Sequence, residues 1–377
     1  MSAALLGSLF LFALPPAALP IQESCGVCHG DVGLDERGAA HAAAGIGCVD
    51  CHGGQAGVLE LPQAHGTGVH VPRRPRAQVE LCGGCHSDQE RMRGWGLRTD
   101  QLLLFGTSAH GQRLAEADDA EVATCVSCHG AHGVLKASDP RSPVHPFRQT
   151  ETCSRCHADA ALAARHELRA DATALYRESV HGRALLEEGS LAAPACTGCH
   201  GSHGATPPRV DEVGHVCGGC HTAVQERFEQ GPHLAAARDG LLEECVSCHD
   251  SHAVRAPSIE MLVGDGAGHC GSCHARDPEA TAVGAGLHET LSGFDARLRA
   301  TEEALAGASR RGIFVEPESD MLREARALRR RAGPLVHALS VQALNDMLER
   351  GDGMLAETRE GIENRSRELR DRKVFVV

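Results

Sequence analysis

The chain has few aromatic residues and almost no lysine. Only ten of its 377 residues are Phe, Trp or Tyr, although aromatic side chains normally supply much of the apolar area of a core. Lysine occurs twice, and acids outnumber bases 50 to 37, which gives a formal charge of −13. Because nucleic-acid binding depends on a basic surface, this charge argues against a nucleic-acid partner. The shortage of aromatics predicts that something other than side chains fills much of the interior.

Long apolar runs are also absent beyond the N-terminus. Residues 3–18 contain no charged residue and are mostly Ala, Leu and Phe, which is typical of the apolar region of a secretory signal and too short for a comfortable membrane span. No basic residue precedes this run, and the cleavage site is ambiguous. We predict a signal peptide at residues 1–20 and an exported protein, periplasmic or extracellular. The alternative is a retained N-terminal membrane anchor.

No cysteine stands outside one pattern. The 18 cysteines form nine Cys-x-x-Cys pairs, and each pair is followed at once by His. This is the attachment signature of c-type haem, in which two thiols bond to the porphyrin vinyl groups and the next His binds iron. Zinc sites use two such pairs per metal and need no His after each pair. Nine disulfides or thioredoxin-like pairs would leave the nine histidines unexplained.

The pattern therefore predicts nine covalently bound haem c groups, which would supply the apolar interior that aromatic residues do not. The predicted attachment residues are Cys25, Cys28, Cys48, Cys51, Cys82, Cys85, Cys125, Cys128, Cys153, Cys156, Cys196, Cys199, Cys217, Cys220, Cys245, Cys248, Cys270 and Cys273. The predicted proximal iron ligands are His29, His52, His86, His129, His157, His200, His221, His249 and His274.

The motifs repeat with a fixed spacing. The motif starts at Cys82 and Cys153 are separated by the same length of chain as those at Cys125 and Cys196. We interpret the chain as two-haem modules at about 25–60, 82–135, 153–205 and 217–255, followed by a ninth haem at 270–274. Such a repeat indicates a unit that stacks on its neighbours. Within residues 21–285 it predicts short helices and irregular backbone around haems, with little or no sheet.

Histidines outside the motifs fall at matching places in the repeats. A first set lies before a module's second motif, and a second set lies three residues after that motif's His. A distal His makes the haem iron six-coordinate and suits it to electron transfer. The predicted distal ligands are His41, His110, His181 and His233 of the first set, and His132, His203 and His252 of the second. Further candidates are His65, His70, His145, His288 and His337; Gln55 replaces the second-set His in the first module.

Residues 286–377 differ from the rest of the chain. They lack cysteine and hold sixteen acids and sixteen bases, so the acid excess lies before residue 286. Apolar residues recur at helical spacing in three runs, which begin at Leu287, Met321 and Val341. Ser319 or Asp320 is the predicted cap of the second helix, and Ser340 of the third. We predict an amphipathic helical bundle that covers the haem array, or that docks or dimerises.

Two segment types are similar to those of bacterial multihaem cytochromes c with doubled, class III-like Cys-x-x-Cys-His modules. These are Ser-x-His-Gly at 108–111 and 179–182, and Cys-His-Gly-x-His-Gly at 128–133 and 199–204. The resemblance covers about residues 21–285. It implies export, mostly bis-His ligation, and electron relay in anaerobic respiration. The implied partners are a redox donor and acceptor, such as a membrane quinol-oxidising complex or other cytochromes.

The sequence thus predicts a mainly α fold and an electron carrier with no catalytic residue of its own. One alternative is a multihaem reductase or oxidase of a small nitrogen or sulfur compound, which needs a haem with an open distal face. Some nitrite reductases have Lys in place of a motif His, whereas all nine motifs here end in His. Gln55 marks where an open face would be sought. Another alternative is a structural subunit of a haem filament or membrane redox complex.

Overall fold

The computed structural model describes residues 25–30, 32, 39–66, 68–209 and 212–374. It is mainly helical, with turns and irregular segments between the helices, and that part of the chain contains no β-strand. This confirms the predicted fold class. The predicted signal peptide lies outside the described residues. None of the described helices has both the length and the apolar composition needed to cross a bilayer.

Short helices occupy the first half of the chain, and several begin or end on a Cys-x-x-Cys-His motif. They are α1 Cys25–Cys28, α2 Ala40–Ala43, α3 Cys48–His52, α4 Leu61–Ala64, α5 Pro75–His86, α6 Gln89–Arg93, α7 Gln101–Thr107, α8 Ala109–Ala117, α9 Cys125–His129, α10 Pro146–His157, α11 Ala160–Arg165, α12 Ala172–Glu178 and α13 Val180–Leu186.

The second half adds three long helices after further short ones. The helices are α14 Cys196–His200, α15 Val213–Gly218, α16 Thr222–Gln230, α17 His233–Arg238, α18 Val246–His249, α19 Cys270–His274, α20 Pro278–Arg310, α21 Glu316–Leu335 and α22 Val341–Val374. Two 3₁₀ turns cover Ile259–Leu262 and Val336–Ala338.

The chain forms two compact units. One comprises residues 1–162 and 195–206, and the other comprises residues 163–194 and 207–377. The first unit buries few large apolar side chains, among them Val79, Met92, Leu114 and Leu135. So few buried side chains provide little hydrophobic stabilisation, as the shortage of aromatics predicted.

The core of the second unit lies among α20, α21 and α22. Leu287, Phe294, Leu322, Leu344 and Leu355 form its centre and are almost fully buried. The three apolar runs found in the sequence supply this core, so the predicted helical bundle is confirmed. The first of its helices, α20, begins earlier than the composition change indicated, directly after the ninth motif.

The structure confirms one of the two helix caps that the sequence predicted for the C-terminal bundle. The hydroxyl of Ser340 accepts a hydrogen bond from the N–H of Ala343 at 3.2 Å, which confirms the predicted cap of α22. The predicted cap at Ser319 or Asp320 is wrong, because α21 begins directly after Val315. The side chain of Val315 is buried in a small apolar cluster, so the chain turns into the helix earlier than its polar residues indicate.

Ion pairs between the three long helices account for the balanced charge of the tail. Arg297 binds Asp352 through two nitrogens at 2.7 and 2.8 Å, and Arg329 binds Asp295 in the same way. Such bidentate pairs fix the relative orientation of neighbouring helices.

One pair differs because its acid is buried. Glu318 has a 4% exposed side chain and accepts a hydrogen bond from Arg365 Nε at 2.7 Å. We expect Arg365→Met to destabilise the bundle by about 2–3 kcal/mol, because it leaves a buried carboxylate without its partner. Thermal unfolding followed by circular dichroism measures this. Arg350→Met is the matched control, because its partner Glu324 is 49% exposed, and the loss there should stay within about 0.5 kcal/mol. Equal losses in the two variants would contradict the prediction.

Candidate haem-ligand sites

The Ser-x-His-Gly segments form tight helix crossings. Helix α7 ends and α8 begins at Ser108, whose hydroxyl accepts a hydrogen bond from the N–H of Gly111 at 3.0 Å. A Cβ at Gly111 would lie 1.9 Å from the Phe105 carbonyl oxygen, so a side chain has no room there. The serine thus caps the new helix, the glycine allows close approach, and His110 between them is held in the first turn of α8.

The same crossing recurs in the next module. Ser179 caps α13 by accepting from the N–H of Gly182 at 3.0 Å, and a Cβ at Gly182 would lie 1.9 Å from the Tyr176 carbonyl oxygen. His181 therefore occupies the same local geometry as His110.

A backbone hydrogen bond joins the two histidine sets. Its donor is the residue before a first-set His, and its acceptor lies two residues after a second-set His of the following module. The three bonds are Ala40 N–H to Val134 O at 2.7 Å, Ala109 N–H to Ala205 O at 3.0 Å, and Val180 N–H to Val254 O at 2.9 Å. Each bond holds two predicted distal ligands from consecutive modules side by side.

Histidine rings face each other in pairs at nearly constant separation. Each pair has one motif His and one other His, and the ring centroids are 6.0 to 6.2 Å apart. The pairs are His29–His65, His41–His86, His52–His132, His110–His157, His129–His203, His181–His221, His233–His274 and His249–His337.

This separation is that of two imidazoles on opposite faces of one metal ion. A metal–nitrogen bond of about 2.0 Å, plus about 1.1 Å from nitrogen to ring centre, gives about 6.2 Å between the two centroids. Two imidazoles in van der Waals contact would lie closer together. The residues present therefore fit a six-coordinate haem iron between each pair of rings.

The pairs interlock consecutive modules. First-set histidines face the first motif His of the following module, as in His41–His86, His110–His157 and His181–His221. Second-set histidines face the second motif His of the preceding module, as in His132–His52 and His203–His129. His233 follows the same rule with His274 of the ninth motif. A module thus places predicted distal ligands opposite motif histidines of both of its neighbours.

Two of the pairs do not follow this rule. His65 faces His29 at the first motif, and His337 of the C-terminal bundle faces His249.

The other candidates lie elsewhere. The N–H of His70 donates to the His52 carbonyl oxygen, so its backbone contacts a proximal ligand. His145 accepts from the N–H of Phe147 at the start of α10, and His288 contacts Glu260 at 3.4 Å. None of these three rings faces a motif His in the part of the chain that the structure describes. His252, two residues before the Val254 acceptor, stays a predicted distal ligand.

Backbone carbonyls orient several of the rings. The Nδ1–H groups of His52, His65 and His337 donate to the carbonyl oxygens of His70, Leu61 and Pro334 at 2.9, 3.2 and 3.2 Å. A hydrogen bond at Nδ1 fixes the tautomer and leaves Nε2 free for a metal ion.

Burial favours the neutral form of nine of the paired rings, and the neutral imidazole is the form that binds iron. It lowers the pKa of His41, His110, His129, His157, His181, His203, His233, His249 and His337. For His110, the charge of a protonated His157 lowers the pKa further.

Consecutive motifs are neighbours in space within each unit. The two motifs of a module are neighbours through their first cysteines, since the side chain of Cys82 interacts with that of Cys125, Cys153 with Cys196, and Cys217 with Cys245. Successive modules meet through their second cysteines, since Cys128 interacts electrostatically with Cys156, and Cys248 with Cys273. The motifs from Cys82 to Cys196 in one unit, and from Cys217 to Cys270 in the other, therefore follow each other in space in their order along the chain.

Two carboxylates, not predicted from the sequence, interact electrostatically with second-set histidines: Asp100 with His203, and Asp171 with His252. The two aspartates are separated by one full period of the repeat, like the motif starts at Cys82 and Cys153. That period could therefore have revealed them.

Comparison with known proteins finds a family model and a relative that match parts of the chain. Residues 235–279, which contain the motifs at Cys245 and Cys270, match the family model described as doubled CXXCH motif. The chain is 24% identical over 209 residues to the high-molecular-weight cytochrome c of Nitratidesulfovibrio vulgaris Hildenborough, which covers 54% of this chain and 34% of that protein. The findings support a multihaem c-type cytochrome.

The chain spans about a third of the length of this cytochrome. No solved structure matches it. The Cys-x-x-Cys-His motifs imply covalently bound haem c, and the similarity to a cytochrome c suggests electron transfer between haems.

Proposed function

We propose that the chain is an exported electron carrier that holds nine haem c groups and relays electrons between redox partners in respiration. The observation that carries this proposal is the set of facing histidine rings at 6.0 to 6.2 Å. His252, by its place in the repeat, completes nine distal histidines for nine motifs. We retain the predicted two-haem modules and the signal peptide as parts of the proposal.

When bound, haem c supplies a one-electron iron couple. The chain's own residues do the rest. The cysteines would hold each group in place, and the facing histidines would bind its iron, which would leave no access for a substrate. The contacts between successive cysteines keep neighbouring groups close, in sequence order from 82 to 196 and from 217 to 270.

The distribution of charge along the chain indicates what kind of redox partner it attracts. Acids exceed bases only in the part of the chain before residue 286, so the haem-binding part attracts a redox donor or acceptor with a basic surface. Electron transfer with such a partner slows as ionic strength rises.

Haem content and spin state test the proposal. A pyridine haemochrome assay on the purified, oxidised holoprotein should give nine haems per chain. The EPR spectrum should contain only low-spin ferric signals. Fewer haems, or a high-spin signal that changes when nitrite, hydroxylamine or sulfite is added, would favour the reductase or oxidase instead.

The shape of the EPR signals provides a further test of the ligand geometry. The ring planes of His129 and His203 are 9° apart, whereas those of His29 and His65 are 74° apart. Parallel imidazole planes split the two iron d orbitals that they overlap, and perpendicular planes cancel that splitting. We therefore expect both ordinary rhombic signals and signals with one large g value. A spectrum with only one of these types would contradict the ligand geometry.

A further inference from the structure

An aspartate closely follows the histidine of three motifs and caps the next helix, α6, α11 or α20. In each case Oδ1 accepts hydrogen bonds from the backbone N–H groups two and three residues later, as a capping aspartate does. These aspartates are Asp88, Asp159 and Asp277, and their donor–acceptor distances are 2.9 to 3.2 Å. The cap therefore holds the carboxylate of each one in place.

The distance along the chain from motif to cap differs by one residue. Asp88 and Asp159 come two residues after the motif histidine, whereas Asp277 comes three residues after His274. The N–H of Asp88 donates to the carbonyl oxygen of Cys85 at 3.0 Å, while the N–H of Asp277 donates to that of His274 at 2.9 Å. The additional residue thus turns the cap back onto the motif histidine itself.

The second carboxylate oxygen of Asp277 lies against the ring of His274. Its Oδ2 is 3.4 Å from Nδ1 of that ring. The corresponding oxygen of Asp88 lies instead 3.4 Å from Nε of Arg91. The ring of His274 faces that of His233, with centroids 6.0 Å apart. The carboxylate therefore stands beside a predicted iron ligand, at the ring nitrogen opposite the one that a metal ion would take.

Other motif histidines have a neutral group at the same ring atom. Nδ1 of His52 contacts the carbonyl oxygen of His70 at 2.9 Å, and Nδ1 of His200 contacts that of Thr206 at 3.1 Å. An aspartate is ionised at neutral pH, so Asp277 brings a full negative charge to its ring. The side chain of Asp277 is 48% exposed, and solvent therefore weakens this charge without removing it.

We propose that Asp277 is a positioning residue that orients the ring of His274 and lowers the reduction potential of the haem at the ninth motif. A carboxylate at the outer nitrogen of a ligating imidazole makes the ring a stronger donor, and its negative charge favours the ferric state. The same side chain begins α20, the first helix of the C-terminal bundle. One residue thus fixes both the start of the bundle and the potential of the last haem site.

This inference rests on the proposed function, since His274 must bind haem iron. The test is a potentiometric titration of the full-length holoprotein, followed by haem absorbance and by EPR. Asp277→Asn retains an oxygen that can cap α20 but removes the charge. One haem component should move to higher potential, with about a tenfold rise in its ratio of reduced to oxidised form at a fixed potential. That rise is about 59 mV for a one-electron couple.

A second variant assigns the shifted component to the ninth motif. His233→Ala removes the facing ligand, so the haem at His274 should give a high-spin EPR signal of its own. Adding Asp277→Asn to His233→Ala should shift the titration of that high-spin signal and leave the low-spin signals in place. Asp277→Ser, which retains a capping oxygen without a charge, should raise the potential as Asp277→Asn does.

Asp88→Asn is the matched control. Asp88 makes the same cap beside another motif, but its second oxygen contacts Arg91 and not a histidine ring. Its loss should change the ratio of reduced to oxidised form of any haem by less than threefold, which is less than half the expected shift in potential for Asp277→Asn.

The possible failures can be told apart. Unchanged potentials in Asp277→Asn, with nine low-spin haems, would overturn this inference and leave the electron carrier intact. An equal shift in Asp88→Asn would also overturn it, because any nearby charge would then have the same effect. So would loss of the ninth haem in Asp277→Asn and Asp277→Ser alike, since the residue would then only hold the fold. A high-spin signal in the unchanged protein would instead defeat the proposed function.

Discussion

Replacing His337 with alanine is expected to convert one haem of the holoprotein from low spin to high spin. His337 lies in the 3₁₀ turn Val336–Ala338, between two helices of the C-terminal bundle, and its ring faces His249 with centroids 6.2 Å apart. Its Nδ1–H donates to the Pro334 carbonyl oxygen, so Nε2 is directed away from its own helix. Alanine removes the sixth ligand at one site and leaves the rest of the bundle in place.

Two measurements check this result. The ferric EPR spectrum should gain a high-spin signal, and the reduced protein should bind one carbon monoxide per chain, whereas the unchanged protein should bind none. Added imidazole should restore the low-spin spectrum, which separates loss of a ligand from loss of structure. His288→Ala is the control, because His288 contacts Glu260 on the surface of α20 and faces no motif ring in the described residues. A fully low-spin His337→Ala spectrum would refute the pairing with His249.

The effect is expected to be large because the bundle holds His337 firmly. A side chain at Gly231 would lie 2.6 Å from the His337 carbonyl oxygen, so the turn between α16 and α17 packs directly against this residue. No second histidine ring faces His249 among the described residues, so none stands ready to replace the lost ligand. Under the proposed function, the C-terminal bundle thus supplies one of the distal ligands.

Part of the set of facing rings could be predicted from the sequence. The motif spacing and the repeat pointed to histidines whose rings the structure brings face to face, such as His110 with His157 and His203 with His129. Each motif occupies only a few consecutive residues, because a haem c site needs two thiols and a His in one short turn. The Ser-x-His-Gly segments likewise carry their own cap and their own close contact.

The pairing of the rings could not be predicted, because it is not local. His132 faces His52, although two complete haem motifs lie between them in the chain, and one complete motif separates His41 from the motif of His86. Composition does not distinguish His65 from His70, which lie in the same linker. What separates them is the course of the backbone, since His70 forms a backbone contact with His52 while His65 faces the ring of the first motif.

The predicted start of α21 was wrong for a different reason. Polar residues at Ser319 and Asp320 resemble a cap, yet the helix starts where Val315 becomes buried. A buried contact outweighed the local capping preference, as tertiary packing commonly does.

Alanine at Gly111 or Gly182 is expected to destroy one distal ligation each. The added Cβ would lie 1.9 Å from a carbonyl oxygen of the preceding helix, Phe105 in one case and Tyr176 in the other. The added Cβ and the carbonyl oxygen must move apart by about 1 Å or more. Bond lengths and bond angles deform too little to allow this movement. The movement has to come from the crossing of the two helices, and the adjacent distal histidine moves with it.

Each variant should therefore show one high-spin haem and a loss of about 2–3 kcal/mol in stability, as backbone strain at a buried glycine commonly gives. EPR and thermal unfolding by circular dichroism measure the two effects. Ser108→Ala should be milder, at about 1 kcal/mol, since it removes a cap without adding a clash.

Gly106→Ala is the matched control for this last prediction. Gly106 lies one residue after Phe105 in the same helix, and a Cβ there meets no atom within 4 Å. Alanine at that place should leave the spin state unchanged and stabilise α7 by up to about 1 kcal/mol, because it restricts the unfolded chain. If Gly106→Ala and Gly111→Ala behaved alike, the close crossing at Ser108 would not be what holds His110 on its iron, and the repeated Ser-x-His-Gly segment would need another explanation.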